Sequence, residues 1–336
     1  MSARNKSARS FPEPCGCMTK TRLTDRHVCR GLVLAAAVFL AAGTGSADVG
    51  GRFVARTDEL AARDPATGIL IGAEPFDIGP ENAPGAILFI HGFLGAGQNF
   101  ADIPHRLAEK GWRVRVMLLP GHGTRPRDLE AVTADMLIEA VRGELAGLRE
   151  RHRCVVVVGH SMGGTLAVLA AARVPVDRLV LAAPYFGVTR HWYYILPPER
   201  WARAGRPFFH WLYKGKLFAQ VNRREAKDEI LSYAWAPVEA VLTLIELGEQ
   251  ARRPEILQHI SCPVLWIHSR HDAAASPEQA QRVFDAFPAA DKRAVWLERS
   301  DHHVFFDYER AHVAAELIAW IGMPPTDGGP AGTGED

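Results

Sequence analysis

Residues 154–164 read CVVVVGHSMGG. Four consecutive valines describe a strand buried on both faces. The chain then continues as GGTLAVLAAARV (163–174), an apolar helical run halted by Pro175. Between strand and helix, GHSMG satisfies G-x-S-x-G, in which the serine sits on a tight turn that aims its hydroxyl out of the sheet. Gly159 and Gly163 are read as positions where any side chain would strike the neighbouring helix and strand. The helix also points amide N–H groups and the positive end of its dipole at the same place. On this reading Ser161 is a nucleophile; on the plainer reading it only caps a helix.

Working outward from the elbow, the chain alternates apolar strands with amphipathic helices from residue 85 onward. Strands are expected at 86–90, 112–119, 155–159, 178–183, 263–269 and 294–298, mostly as unbroken apolar runs. Leu137, Val141, Leu145 and Leu148 recur at helical spacing, as do Val313, Leu317, Trp320 and Ile321. The alternation predicts an α/β fold with a mostly parallel, doubly wound sheet. One stretch breaks the rhythm. Residues 185–235 hold 13 of the 29 aromatic residues and nine Lys/Arg against four acids, which suggests a helical, aromatic-rich cap over one end of the sheet.

A serine hydroxyl needs a base, an orienting acid and an oxyanion hole before it becomes a useful nucleophile. After such an elbow the chain order is serine, acid, histidine. The strand at 263–269 runs into RHD, which puts Asp272 on a loop at a strand's C-terminal end, where active-site groups collect in open α/β sheets. The next strand runs into RSDHHVFFD, which offers His302 and His303 as bases and Asp301 as a second candidate acid. Two preorganised N–H donors must hold the oxyanion. The backbone of Met162 supplies one, and Phe93, in HGFLGAG (91–97) after the first strand, supplies the other. His91, His160 and His122 are read as residues that fix loops by hydrogen bonds.

Five segments together resemble the α/β-hydrolase superfamily, and within it the branch of bacterial carboxylesterases and monoacylglycerol lipases. They are GAEPF (72–76), PGHGTRPRDL (120–129), GHSMGG, HSRHD and SDHHVFFDYE (300–309). The resemblance spans about residues 70–322. It implies that the base is the histidine two residues after a serine and five before an aspartate, a spacing kept here by Ser300, His302 and Asp307. It also implies a cap after the sixth strand, and residues 185–235 are longer and more aromatic than a minimal esterase cap. The implied activity is serine-dependent hydrolysis of carboxylic esters through an acyl-enzyme. The same triad could cleave amides, as in serine aminopeptidases, or transfer acyl groups. A binding protein on this scaffold usually forfeits a triad residue, and all three are present here.

The N-terminus carries a separate signal. Residues 1–30 hold seven Lys and Arg against Glu13 and Asp25, followed by the apolar run GLVLAAAVFLAA (31–42) and small residues at Gly45 and Ala47. Basic flank, short apolar run and small-residue exit predict a signal peptide over 1–47, with Met18 an alternative start. The expected address is periplasmic or extracellular, with an uncleaved membrane anchor as the alternative. The hydrolase domain is expected over 48–322 and a Pro/Gly-rich tail over 323–336. Beyond residue 47 the chain is slightly acidic, which gives no basis for nucleic-acid binding. No Cys/His spacing resembles a zinc site, and no cofactor is implied. The expected partner is a small acyl ester or lipid, with peripheral membrane contact through the cap.

Overall fold

The computed structural model describes residues 61–189, 198–215 and 219–325, with parts of 51–59. The expected signal peptide and most of the expected tail lie outside the described residues. Seven strands form the main sheet. They are β1 (Phe76–Ile78), β2 (Gly85–Ile90), β3 (Arg113–Val116), β4 (Cys154–His160), β5 (Arg178–Ala182), β8 (Val264–Ser269) and β9 (Lys292–Leu297), in the order β1-β3-β2-β4-β5-β8-β9. β1 is antiparallel to β3 and every other pairing in this sheet is parallel.

Successive side chains of the central strands feed opposite cores, as the period of two requires. Leu88, Ile90, Val155, Val157 and Leu181 face a layer built by α2 (Ala134–Arg151), α3 (Met162–Ala171), α5 (Val238–Ala251) and α6 (Pro277–Ala286). Ile87, Phe89, Val156, Val158 and Val180 face α1 (Ile103–Ala108) and α7 (Arg310–Ile321). Burial on both faces is why these strands read as apolar runs rather than alternating ones. Among the described residues no helix is long and apolar enough to cross a membrane. Cys154 and Cys262 are both unbridged.

Three local features depart from the sequence reading. β3 stops at Val116 although the apolar run continues to Leu119, because the Leu119 N–H leaves the ladder and donates to His91 Nε2 at 3.0 Å. β9 begins two residues earlier than expected, where Lys292 caps three carbonyls, those of Phe284, Asp285 and Phe287, each at 3.0 Å. The described part of the insert holds the helix α4 (Pro198–Gly205) and a single helical turn at Ala226–Glu229, but also the antiparallel pair β6 (Trp211–Tyr213) and β7 (Trp235–Pro237). Tyr213 and Trp235 pack edge to face across that pair, with centroids 5.0 Å apart. Counted along this seven-stranded sheet, the insert follows the fifth strand rather than the sixth.

Candidate active site

β4 ends at His160, and Ser161 turns the chain with φ 55° and ψ −119°, a backbone that L-residues rarely adopt. The turn is held from both sides. Ser161 N–H donates to Ala182 O at 3.0 Å, and Ser161 C=O accepts from Tyr185 N at 3.1 Å. It closes only between glycines. A Cβ on Gly159 would lie 2.4 Å from Gly163 O, and one on Gly163 would lie 1.9 Å from Ile90 O. Strain at such a residue is of order 1–3 kcal/mol and persists only when its surroundings over-determine it.

Two loops from the far side of the sheet meet this hydroxyl. The first follows β8 and carries Asp272; the second follows β9 and carries His302. His302 Nε2 lies 2.8 Å from Ser161 Oγ, and His302 Nδ1 lies 2.8 Å from Asp272 Oδ2. A carboxylate can only accept, so Nδ1 carries the proton and donates to Asp272. Nε2 is then free to accept from the Ser161 O–H. All three side chains are buried.

Asp272 is further gripped by its own loop. Its Oδ1 accepts the N–H groups of Ala274 and Ala275, both at 2.8 Å, and its Oδ2 lies 3.2 Å from His268 Nε2. Burial alone would raise its pKa. The charge of His302, with hydrogen bonds from His268 and His302, outweighs that and holds the carboxyl well below the usual range. Asp301 faces the main chain instead: its Oδ1 accepts from Ala273 N at 2.9 Å and His302 N at 2.8 Å. Burial and the neighbouring charge of Asp272 push Asp301 up to about 6.

His303 sits beside the pair without joining it, its ring centroid 5.7 Å from that of His302. His160 donates from Nε2 to the His302 carbonyl at 3.2 Å, and burial pushes it down to about 3. His91 bridges two loops, donating from Nδ1 to Gly92 O at 2.9 Å while Nε2 accepts from Leu119 N. Burial likewise keeps His91 near 3 and His122 near 4, so these rings are neutral scaffolding. The loop 91–95 lies against Ser161. A Cβ on Gly92 would be 3.1 Å from Ser161 Cβ, which brings the following residue, Phe93, alongside Met162 at the start of α3. Behind them an apolar pocket is lined by Phe93, Met162, Leu129, Val132, Leu137 and Ala240, with His122 and Thr243 as its polar members. Among the described residues no cluster of three or more His, Cys, Asp or Glu is arranged to hold a metal ion.

His268 escaped the sequence reading, which offered Asp301 only as an acid and Asp307 only as part of a motif; none of the three was read as a support. Their partners lie from 1 to 85 positions away. Asp307 accepts four main-chain N–H groups, from Asn222, Arg223, Asp301 and Tyr308, between 2.7 and 3.0 Å.

A mostly parallel sheet with this strained serine turn at the end of its central strand is the α/β-hydrolase fold. Residues 81–309 match the family described as serine aminopeptidase, S33 (Hydrolase_4), and the chain belongs to that family. The thermostable monoacylglycerol lipase of Bacillus sp. (strain H-257) is 28% identical over 261 residues, which cover 75% of this chain and 96% of that protein. Among solved structures, one of the metagenome-derived lipolytic enzymes LipS and LipT matches with a TM-score of 0.65 at 26% identity, over 75% of this chain and 98% of that one. A soluble variant of monoglyceride lipase from Saccharomyces cerevisiae, solved with a substrate analogue, matches with a TM-score of 0.63 at 15% identity, over 74% and 90%. The similarity therefore runs to the monoacylglycerol lipase and carboxylesterase branch that the motifs suggested.

Proposed function

We propose that the protein is a serine hydrolase of carboxylic esters, acting on a monoacylglycerol-like or other acyl ester. One observation carries the reading: Ser161 Oγ, the His302 imidazole and the Asp272 carboxylate stand in a single line, with 2.8 Å at each step. Ser161 Oγ attacks the ester carbonyl as its proton passes to His302 Nε2. Asp272 stabilises the imidazolium and holds the tautomer that lets Nε2 accept. The amides of Phe93 and Met162 hold the tetrahedral oxyanion, where one donor is worth about 3–4 kcal/mol in comparable sites. His302 then protonates the leaving alcohol, and the acyl-enzyme is hydrolysed by a water that His302 deprotonates in turn. The names of the relatives support ester hydrolysis.

A panel of 4-nitrophenyl and glycerol esters of graded chain length, run beside aminoacyl amides on residues 48–336, tests the substrate class. Ester turnover with negligible amide turnover is expected, and the reverse order would overturn the reading.

Export is part of the proposal, on the strength of the basic flank and apolar run at 1–42. Exposed aromatics of the insert, Trp201 and Phe208, support peripheral contact with a lipid surface. Fractionation of expressing cells tests the address. Shortened protein outside the cytoplasm supports cleavage and export, whereas full-length protein in the membrane fraction contradicts it.

A further inference from the structure

The insert delivers one cation to the mouth of this site without delivering an anion to match. Lys214 follows β6, and its N–H donates to Ala234 O at 2.7 Å, which fixes the chain as it leaves the strand pair. Its ammonium lies over the ring of Phe93, 5.6 Å from the centroid, directly beside the loop assigned to the oxyanion hole. Other basic side chains of the insert meet carboxylates: Arg203 meets Glu249, Arg206 meets Glu239, and Arg223 meets Glu229. Among the described residues no carboxylate lies within ion-pair distance of Lys214.

Its surroundings are not those of a solvated surface lysine. The side chain is half-buried, and burial lowers its pKa, with the charge of Asp272 acting in the opposite sense. An aromatic face returns only about 0.5–2 kcal/mol to a cation, less than a desolvated ammonium forfeits. His303 stands on the same side of the site. Its N–H is tied to Gln220 O at 3.1 Å, and neither ring nitrogen has a hydrogen-bond partner among the described residues. Burial, reinforced by the neighbouring His302, His160 and Lys214, keeps His303 neutral, so its ring has an N–H to donate.

We propose that Lys214, with His303 as a second donor, forms an anion subsite that selects esters carrying a carboxylate or phosphate a few bonds from the scissile carbonyl. The substrate anion supplies the charge that the protein withholds. The same ammonium would repel the free α-amino group of an aminopeptidase substrate. This inference rests on ester hydrolysis at Ser161, and its test is arranged so that the two can fail separately.

The acyl side is probed by 4-nitrophenyl hemiglutarate against 4-nitrophenyl valerate. The alcohol side is probed by 1-butyrylglycerol 3-phosphate against 1-butyrylglycerol. In one of the two pairs the wild-type protein is expected to favour the anionic member at least tenfold in kcat/KM. Lys214→Met should erase that ratio and Lys214→Arg should keep it, with active-site labelling by a neutral fluorophosphonate reporting folded sites. Equal ratios in wild type and Lys214→Met, or no anionic preference in either pair, would overturn the subsite while leaving ester hydrolysis standing. A binding measurement does not depend on turnover. In the Ser161→Ala background, monomethyl glutarate should bind at least tenfold more weakly once Lys214→Met is added. Unchanged binding would overturn the subsite even if no ester were hydrolysed.

Discussion

Asp307 Oδ2 accepts the N–H of Asn222 at 2.7 Å and so joins the loop that carries His302 to the insert that covers it. The same oxygen accepts Asp301 N–H at 2.8 Å, one residue before His302. Arg223 reinforces the junction, donating from Nε to Phe306 O at 2.8 Å. Position of His302 and position of the insert are thus tied to one buried carboxylate.

Removing that carboxylate leaves four amide donors without an acceptor. Hydrogen bonds to a charged group are worth about 1.5–3 kcal/mol each, and orphaned buried donors add their own cost. Asp307→Ala is therefore expected to lower stability by about 3–5 kcal/mol in urea unfolding, with a fall in kcat. Asp307→Asn keeps an acceptor and should cost less. Equal stability of Asp307→Ala and wild type would show that the junction is held elsewhere.

Glycine-to-alanine changes should separate the elbow from an ordinary helix. At Gly163 the new methyl meets Ile90 O at 1.9 Å, backbone against backbone, and the expected outcome is an unfolded or severely destabilised chain. At Gly143, exposed on α2, nothing lies within 4 Å of the new methyl. There the gain in helix propensity predicts about 0.5–1 kcal/mol of added stability. Thermal unfolding of the two variants should move in opposite directions.

Asp301 imposes a pH dependence on stability. Its folded pKa of about 6 lies above the ordinary value of 3.8, so between those pH values the folded state binds more protons than the unfolded chain. The contribution of Asp301 to stability therefore falls as pH rises from about 4 to 6, by about 2–3 kcal/mol in all. Asp301→Asn keeps an oxygen to accept the Ala273 and His302 amides but cannot ionise. It should be more stable than wild type at pH 7 and no more stable at pH 4, as read by urea midpoints at the two pH values. A constant difference across that range would contradict the assignment.

His302 and His303 give a sharper kinetic contrast. His302→Ala removes the imidazole that touches both Ser161 and Asp272, and should lower kcat on a neutral ester by about 10³ or more. His303 touches neither, so His303→Ala should cost at least tenfold less on the same ester. A larger loss at His303 would reverse the assignment of the base.

The elbow was legible because everything it needs is local: a valine strand, three glycines, a serine and a helix within twenty residues. The loops bearing Asp272 and His302 were legible because each follows an apolar strand. β1 was not, since it has three residues with Asp77 at its centre. It is held by pairing with β3, and by Asp77 meeting Arg115 at 2.7 Å across the edge. The strand pair in the insert was hidden for a similar reason: 21 residues separate Tyr213 from its partner Ala234–Trp235 region, and their aromatics read equally well as a helical face. His268 looked like one more residue of a buried strand, and only the fold turns its ring toward Asp272.

The central claim is that Ser161 performs the attack. The most direct measurement is kcat of Ser161→Ala on a 4-nitrophenyl acyl ester, on protein shown by circular dichroism to be folded. A fall of about 10³-fold or more is the expected result. Folded Ser161→Ala protein that keeps more than a hundredth of the wild-type kcat would contradict it.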